Sequence, residues 1–250
     1  SLDLVDDVGL LDDRLVAAHF RLADDEDIQR TADADASVAH CPSIFCYWNT
    51  DGDVQWTPVP ELRDAGVDVG LGVDDHYWHD SYNLFGEARQ ARLAANLKRS
   101  TGQYDSMELV RMLTIEGAEA LGVGDEIGSL EPDKRADVIM LDVEKPKFTP
   151  LTNIPAQVAN NAAPADVETV IVDGDVLMEA GRIETMDAGA VRERVESAVD
   201  RFASETDWEL NIGGSDPPSK IDVARDLPKR GPAQLLGRLA FQSIKDKYPF

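Results

Sequence analysis

"VDVGLGVDDHYWHD", Val67 to Asp80, begins as an apolar run punctuated by Gly70 and Gly72 and ends in a crowd of polar groups. Asp74 and Asp75 stand side by side, followed by His76, Tyr77, Trp78, His79 and Asp80. A continuous apolar strand is the pattern of a parallel sheet covered on both faces by helices. Carboxylates are costly to bury, so such a strand ends in them where the chain reaches an opening. In parallel α/β sheets that opening lies at the carboxyl ends of the strands, where the chemistry sits.

The neighbouring segments repeat the pattern. "RLVAAHF" (Arg14–Phe20) reads as a short strand ending at His19, and "ASVAHCP" (Ala36–Pro42) as another, with His40 at its end. Between them "ADDEDIQRTADAD" predicts a helix whose acids, Asp24 to Asp27, complement its positive N-terminal end. "TPVPELRDAG" predicts a short helix with prolines at its start and Gly66 at its end. "NLFGEARQARLAANLKR" predicts a long helix, and "SMELVRMLTIEGAEALGV" a further one with Ser106 as N-cap. Strands alternating with helices place the chain in the α/β class with a parallel sheet. Beyond them, "ADVIMLD" reads as a strand and "VETVIVDGDVLMEAGRI" as a β-hairpin turning at Asp173-Gly174. "DAGAVRERVESAVDRFASE" predicts a surface helix, "NIGGSDPPSK" a linker, and "AQLLGRLAFQSIKDKYPF" a short amphipathic helix.

Composition narrows the function classes. The 250 residues carry 48 acids against 24 bases, a formal net charge of −24. Such a surface repels phosphate backbones and anionic bilayers, so neither nucleic acid nor membrane is an expected partner. No apolar run approaches the roughly 20 residues that span a bilayer. Hydrophobic content of 43% is that of a globular chain. The acids are spread along the sequence, and Arg outnumbers Lys by 16 to 8. The pattern is that expected of the solvated acidic surface of a protein from a high-salt cytoplasm, where screening removes most of the self-repulsion. Cys41 and Cys46 are expected to be reduced, partly buried thiols.

His19 and Asp74, at the ends of their strands, are the candidate catalytic groups. A histidine and a carboxylate there can hold a divalent metal and orient its water, and the carboxylate can accept that water's proton. Spacing alone does not select this chemistry over a hydrogen-bonded core histidine and solvated carboxylates. His76 and His79, flanked by Tyr77 and Trp78, are expected in a loop that lines or covers a pocket. There is neither a glycine-rich phosphate loop nor a nucleophile elbow.

Taken in order, several segments resemble the metal-dependent amidohydrolase superfamily, in the branch of S-adenosylhomocysteine and methylthioadenosine deaminases, guanine and cytosine deaminases and triazine chlorohydrolases. "GLLDDRLVAAHFRLADDEDIQ" resembles that branch's sixth barrel strand with its histidine, and "ASVAHCPSI" its seventh-strand "HCP-S" motif. "VPELRDAGVDVGLGVDD" resembles the eighth strand, where the family pattern is close to "L-G-T-D". "LTIEGAEALGVGDEIGSLEPDKRADVIMLD" resembles the return into the family's small β-sandwich, and "VETVIVDGDVLMEAGR" its closing hairpin.

The resemblance implies a fold: strands 6–8 of a TIM-like (β/α)8 barrel within 1–125, part of a small β-sandwich at 126–186, and a helical extension and tail at 187–250. It implies that Asp74 binds the metal, Zn2+ or alternatively Fe2+, and takes a proton from the attacking water. His19 would contact the hydrolytic water or the tetrahedral intermediate. Asp75, where the family has a small residue, would bind a purine ring nitrogen as the second of a pair of aspartates does in adenosine deaminases. His40 and Trp78 are the further candidate substrate contacts. The implied reaction is deamination of a purine- or pyrimidine-like heterocycle, with chlorohydrolysis as the alternative.

The family's first-strand His-x-His, and its fifth-strand His with a nearby catalytic Glu, have no counterpart among these residues. The chain is therefore expected to correspond to the C-terminal part of an amidohydrolase, inactive by itself. Its expected partners are a small heterocyclic substrate and either a second copy in a homo-oligomer or a separate N-terminal half. The competing expectation is a non-catalytic remnant or subunit.

Overall fold

The computed structural model describes residues 2–44, 56–74, 82–98 and 104–206. The chain divides into two compact units, Ser1–Thr185 and Met186–Phe250. Among the described residues no helix is long and apolar enough to cross a membrane.

The first unit opens with helix α1 (Leu2–Asp7) and then builds a parallel sheet from β1 (Val16–Ala18), β2 (Ser37–His40) and β3 (Val69–Leu71), in the order β1-β2-β3. Register aligns Ala17 with Val38 and Val38 with Val69, and this row packs into the main core. Side chains alternate across a strand, so the next row, Ala18, Ala39 and Gly70, faces the other way. There Gly70 meets a helix so closely that a Cβ on it would stand 3.0 Å from Gly117 Cα.

Helix α2 (Asp25–Asp33) starts at Asp24, whose carboxylate accepts from the amides of Glu26 and Asp27. The acidic run thus supplies both the cap and the first turn, where the helix dipole favours negative charge. Arg30 on this helix pairs with Asp3 and Asp6 of α1. Helix α3 (Val59–Asp64) follows Pro58, carries Pro60 in its first turn, and ends at Gly66 with φ +89. Its Val59 and Leu62 are wholly buried against β3 and α4 (Leu84–Lys98).

The expected single helix from Ser106 is two helices, α5 (Ser106–Met112) and α6 (Ile115–Ala120). The N-cap is Asp105, not Ser106. Asp105 Oδ1 accepts from the Glu108 amide at 2.8 Å, and Glu108 Oε2 accepts from the Asp105 amide at 2.7 Å. That reciprocal box needs an acceptor three residues before a Glu, which Ser106 is not. The break falls at Thr114 (φ −130, ψ −100), whose hydroxyl donates to the Val110 carbonyl at 2.7 Å and competes with the helix ladder. Beyond it Glu116, buried, accepts from Arg63 of α3 and from Arg111 Nε at 2.9 Å.

A four-stranded antiparallel sheet follows, β4 (Val138–Leu141), β5 (Val167–Val172), β6 (Asp175–Glu179) and β7 (Arg182–Ile183), paired in sequence order apart from the long β4–β5 connection. The hairpin turns at Asp173-Gly174, both at positive φ (+51 and +86), as a type I′ turn requires. Arg135 clamps that turn, donating to Asp173 through Nε at 3.1 Å and Nη2 at 2.8 Å. The β4–β5 connection holds helix α7 (Ile154–Asn161), capped by Asn153 with Pro155 in its first turn. Arg89 of α4 donates to the Asn160 and Ala162 carbonyls, at 3.0 and 3.1 Å, and so ties α4 to the carbonyl end of α7.

In the second unit, helix α8 (Ala188–Thr206) occupies the segment expected as a surface helix, and its residues are exposed apart from Gly189, Ala203 and Thr206. The expected amphipathic helix in "AQLLGRLAFQSIKDKYPF" lies outside the described residues.

Candidate active site

The carboxyl ends of β1, β2 and β3 lie side by side, and each delivers one candidate residue. The His19 amide continues the parallel ladder by donating to Ala39 O at 2.9 Å, and the chain then departs. Its backbone is left-handed, φ +69, followed by Phe20 at +44. Asp74 leaves β3 in the same way, with φ +63. Non-glycine residues in this region cost about 1–3 kcal/mol each unless their surroundings over-determine them, and they concentrate at functional sites. For His19 part of that restraint is visible: Thr57 Oγ1 donates to the His19 carbonyl.

These two bends turn the side chains toward each other. His19 Nε2 lies 3.2 Å from Asp74 Oδ2, and each side chain is 34% exposed. The pair is within reach of solvent and close enough to share a proton, the arrangement a general acid–base pair needs.

His40 ends β2 but is buried. It lines a small cavity with Trp56, Thr57, Pro60, Ala91, Ala94 and Tyr104, between the strand end and α4. Burial, with the neighbouring His19 adding to it, pushes the His40 imidazole down to about 3, so the ring is neutral at any ordinary pH. Cys41 is a free, buried thiol pushed up to about 12 by burial and by the carboxylates of Asp74 and Glu87. That matches the expected reduced thiol, though Cys41 is buried rather than partly buried; Cys46 lies outside the described residues. So do Asp75 and Trp78, with His76, Tyr77 and His79.

Two contributors were not singled out from sequence. Thr57 precedes α3 and holds His19, as described. Glu87 is 3% exposed, and its Oε2 accepts from the Ser43 amide at 3.0 Å in a buried bond. Helical spacing carries a signal for Glu87, since it falls on the face of α4 shared by Ala91 and Ala94, both buried. An acid on a buried stripe asks for a partner. Thr57 has no such signal.

Among the described residues, no group of three or more His, Cys, Asp and Glu side chains is placed to hold a metal ion. His19 and Asp74 are two donors, where a catalytic zinc takes three protein ligands and a water. The described residues therefore do not fit a metal centre by themselves; they offer one carboxylate and one imidazole.

Comparison with known proteins gives the context of this pair. The chain is 39% identical over 202 residues to a 5-methylthioadenosine/S-adenosylhomocysteine deaminase from Symbiobacterium thermophilum, covering 80% of this chain and 45% of that protein. It thus spans about half the length of the curated relatives it matches. A zinc-bound adenosine deaminase from Xanthomonas campestris superposes with a TM-score of 0.73 at 29% identity, over 80% of this chain and 45% of the other. A zinc-complexed atrazine chlorohydrolase from Arthrobacter aurescens gives 0.70 at 26% identity, over 79% and 43%. These likenesses make the parallel sheet and its helices a region of TIM-barrel type. The model of the amidohydrolase family matches residues 1–177, and the chain belongs to that family.

Proposed function

We propose that this chain forms the C-terminal part of a metal-dependent deaminase that removes an amino group from a purine-like heterocycle. The observation that carries the reading is the His19–Asp74 pair, 3.2 Å apart on left-handed bends beyond β1 and β3, the two strands that flank β2 in one parallel sheet. The domain division that goes with it is a barrel part at 1–125, a β-sandwich part at 126–186 and a helical extension at 187–250. Similarity to purine deaminases over four fifths of the chain supports the substrate class.

In this reading water adds to the ring carbon that carries the amino group. Asp74 accepts the proton of that water and returns it to the leaving nitrogen, so a C–O bond forms, the C–N bond breaks and ammonia departs. His19 donates to the oxygen that gains charge as the ring carbon becomes tetrahedral. Asp75 takes a ring nitrogen, and His40 and Trp78 flank the heterocycle. Bound zinc, or iron in its place, would acidify the attacking water. Most of its ligands must come from residues other than those described, and Asp74 is the ligand offered here. The acidic surface suits a high-salt cytoplasm.

The alternative is a non-catalytic chain, and one observation favours it: the described residues assemble no three-donor metal group. One experiment separates the two. The protein is expressed in frame with the coding sequence that precedes Ser1, in high salt with zinc or iron, and ammonia release is followed from 5-methylthioadenosine, S-adenosylhomocysteine, adenosine and guanine. Deamination with about one metal per chain, both lost in Asp74→Asn, is the expected result. A folded, metal-free and inert protein would refute the enzyme reading. Chloride release from a chlorotriazine without deamination would move it to the chlorohydrolases.

A further inference from the structure

Asp74 holds a left-handed backbone at a strand end, so something must restrain it. The restraint comes from the neighbouring strand. Gly72 donates its amide to the His40 carbonyl at 2.9 Å. Cys41 Sγ lies 3.0 Å from the point where a Cβ on Gly72 would stand, leaving no room for any other residue type at that position without displacement. Asp74 lies near enough to Cys41 for its carboxylate to help push that thiol up. The backbone at Gly72, two residues before Asp74, therefore rests on His40 and Cys41, the last residue of β2 and the first beyond it.

That support is itself anchored. Ser43, two residues beyond Cys41, donates its amide to Glu87 Oε2 at 3.0 Å. Glu87 lies in the first turn of α4, where the helix dipole stabilises its charge, and is 3% exposed. A charged acceptor makes this a strong bond, and burial makes it costly to lose. Glu87 touches neither His19 nor Asp74 in any described contact.

We propose that Glu87 is a positioning residue for Asp74: through the Ser43 amide it holds the Cys41–Ser43 turn against Gly72–Asp74, and so sets the Asp74 carboxylate opposite His19. The inference rests on Asp74 being the working carboxylate of the proposed hydrolase. Its consequence is that a side chain on the helix after β3 fixes the exit geometry of β3 by way of β2. The three elements are locked as a unit, and loosening α4 at Glu87 misplaces the acid–base pair without touching it.

The test reads geometry in the intact chain and needs neither metal nor turnover, so failure of the hydrolase reading would leave its outcome unchanged. A Cys46→Ser background makes Cys41 the single thiol. Two quantities are followed in high salt: the imidazole 15N signature of His19, assigned with His19→Gln, and the rate at which a thiol reagent labels Cys41. Glu87→Met keeps shape and helix propensity but removes the acceptor. It is expected to displace the His19 signature and to speed labelling by about tenfold, the effect of one lost buried hydrogen bond on a local opening. Glu87→Gln, which retains an amide oxygen for Ser43, should return both toward the parent. Leu62→Ala, a wholly buried core position of α3, controls for stability: it should lower the unfolding midpoint and leave the His19 signature in place. If Glu87→Met does not fold, Ser43→Pro removes the donor instead and is read in the same way. An unmoved His19 signature in the acceptor-free variant, or an equal displacement in Leu62→Ala, overturns the proposal.

Discussion

Lowering the pH should remove stability through His40, and the size of the effect follows from its burial. In the folded chain the imidazole is held at about 3, against 6.5 for the free side chain, first by loss of water and then by the neighbouring His19. The unfolded state therefore takes up a proton in a range where the folded state refuses it. Stability from this residue is fully present above pH 6.5 and falls as the pH drops toward 3. Each unit in that window is worth about 1.4 kcal/mol, so by pH 5.0 the loss is about 2 kcal/mol. Other groups pull the opposite way. The carboxyls of Asp68 and Glu119 are raised, by burial first and then by Glu116 and Asp68 respectively, so the folded state binds their protons more tightly and gains as the pH falls. The His40 contribution is isolated by difference. Urea unfolding of the parent and of His40→Gln, at constant high salt from pH 7.5 to 5.0, should give free-energy curves that converge by about 2 kcal/mol. Curves that stay parallel within about 0.5 kcal/mol would refute the claim that His40 is buried neutral.

Three further outcomes are expected. Gly70→Ala drives a methyl to within 3.0 Å of the Gly117 backbone, which cannot rotate aside, and should cost about 1–3 kcal/mol; an unchanged urea midpoint would place α6 elsewhere. Glu116→Gln removes the charge that Arg63 and Arg111 share at a buried position and should lower stability by about 2–4 kcal/mol, with a loss under about 0.5 kcal/mol counting against the network. Dialysis into low salt should abolish the helical circular dichroism as the −24 charge loses its screening; a cooperative fold at low ionic strength would count against the salt-adapted surface.

Some of this architecture could be read directly from the chain, because local signals and tertiary structure agree. The strand ends at His19, His40 and Asp74 are punctuated by a change from apolar to polar residues, and the Asp173-Gly174 turn has a backbone requirement that few residue pairs meet. The helix break at Thr114 could not be read, since apolar spacing runs straight through it and the break depends on a hydroxyl choosing a carbonyl. Helix α7 was not read either, because Ile154–Asn161 spans only two turns, too few for a helical period to stand out, although Asn153 and Pro155 are an ordinary start signal. At the site, sequence placed His19 and Asp74 at strand ends but could not bring them within 3.2 Å, which follows from the left-handed bends that turn both side chains across the end of β2. Glu87 depends on a contact to Ser43 through three dimensions, and its only trace is an acid on an alanine stripe.

The sequential order β1-β2-β3 also has a kinetic meaning. Each ladder closes over a single crossover, but the His19–Asp74 contact exists only after both have closed. Loop-closure entropy sets that contact behind both ladders, so its formation should follow the closing of this sheet rather than nucleate it. A spectroscopic probe at His19 would then lag behind one in the core at Val38 during refolding. As the chain leaves the ribosome, the His19–Asp74 contact can form only once Asp74 itself has emerged.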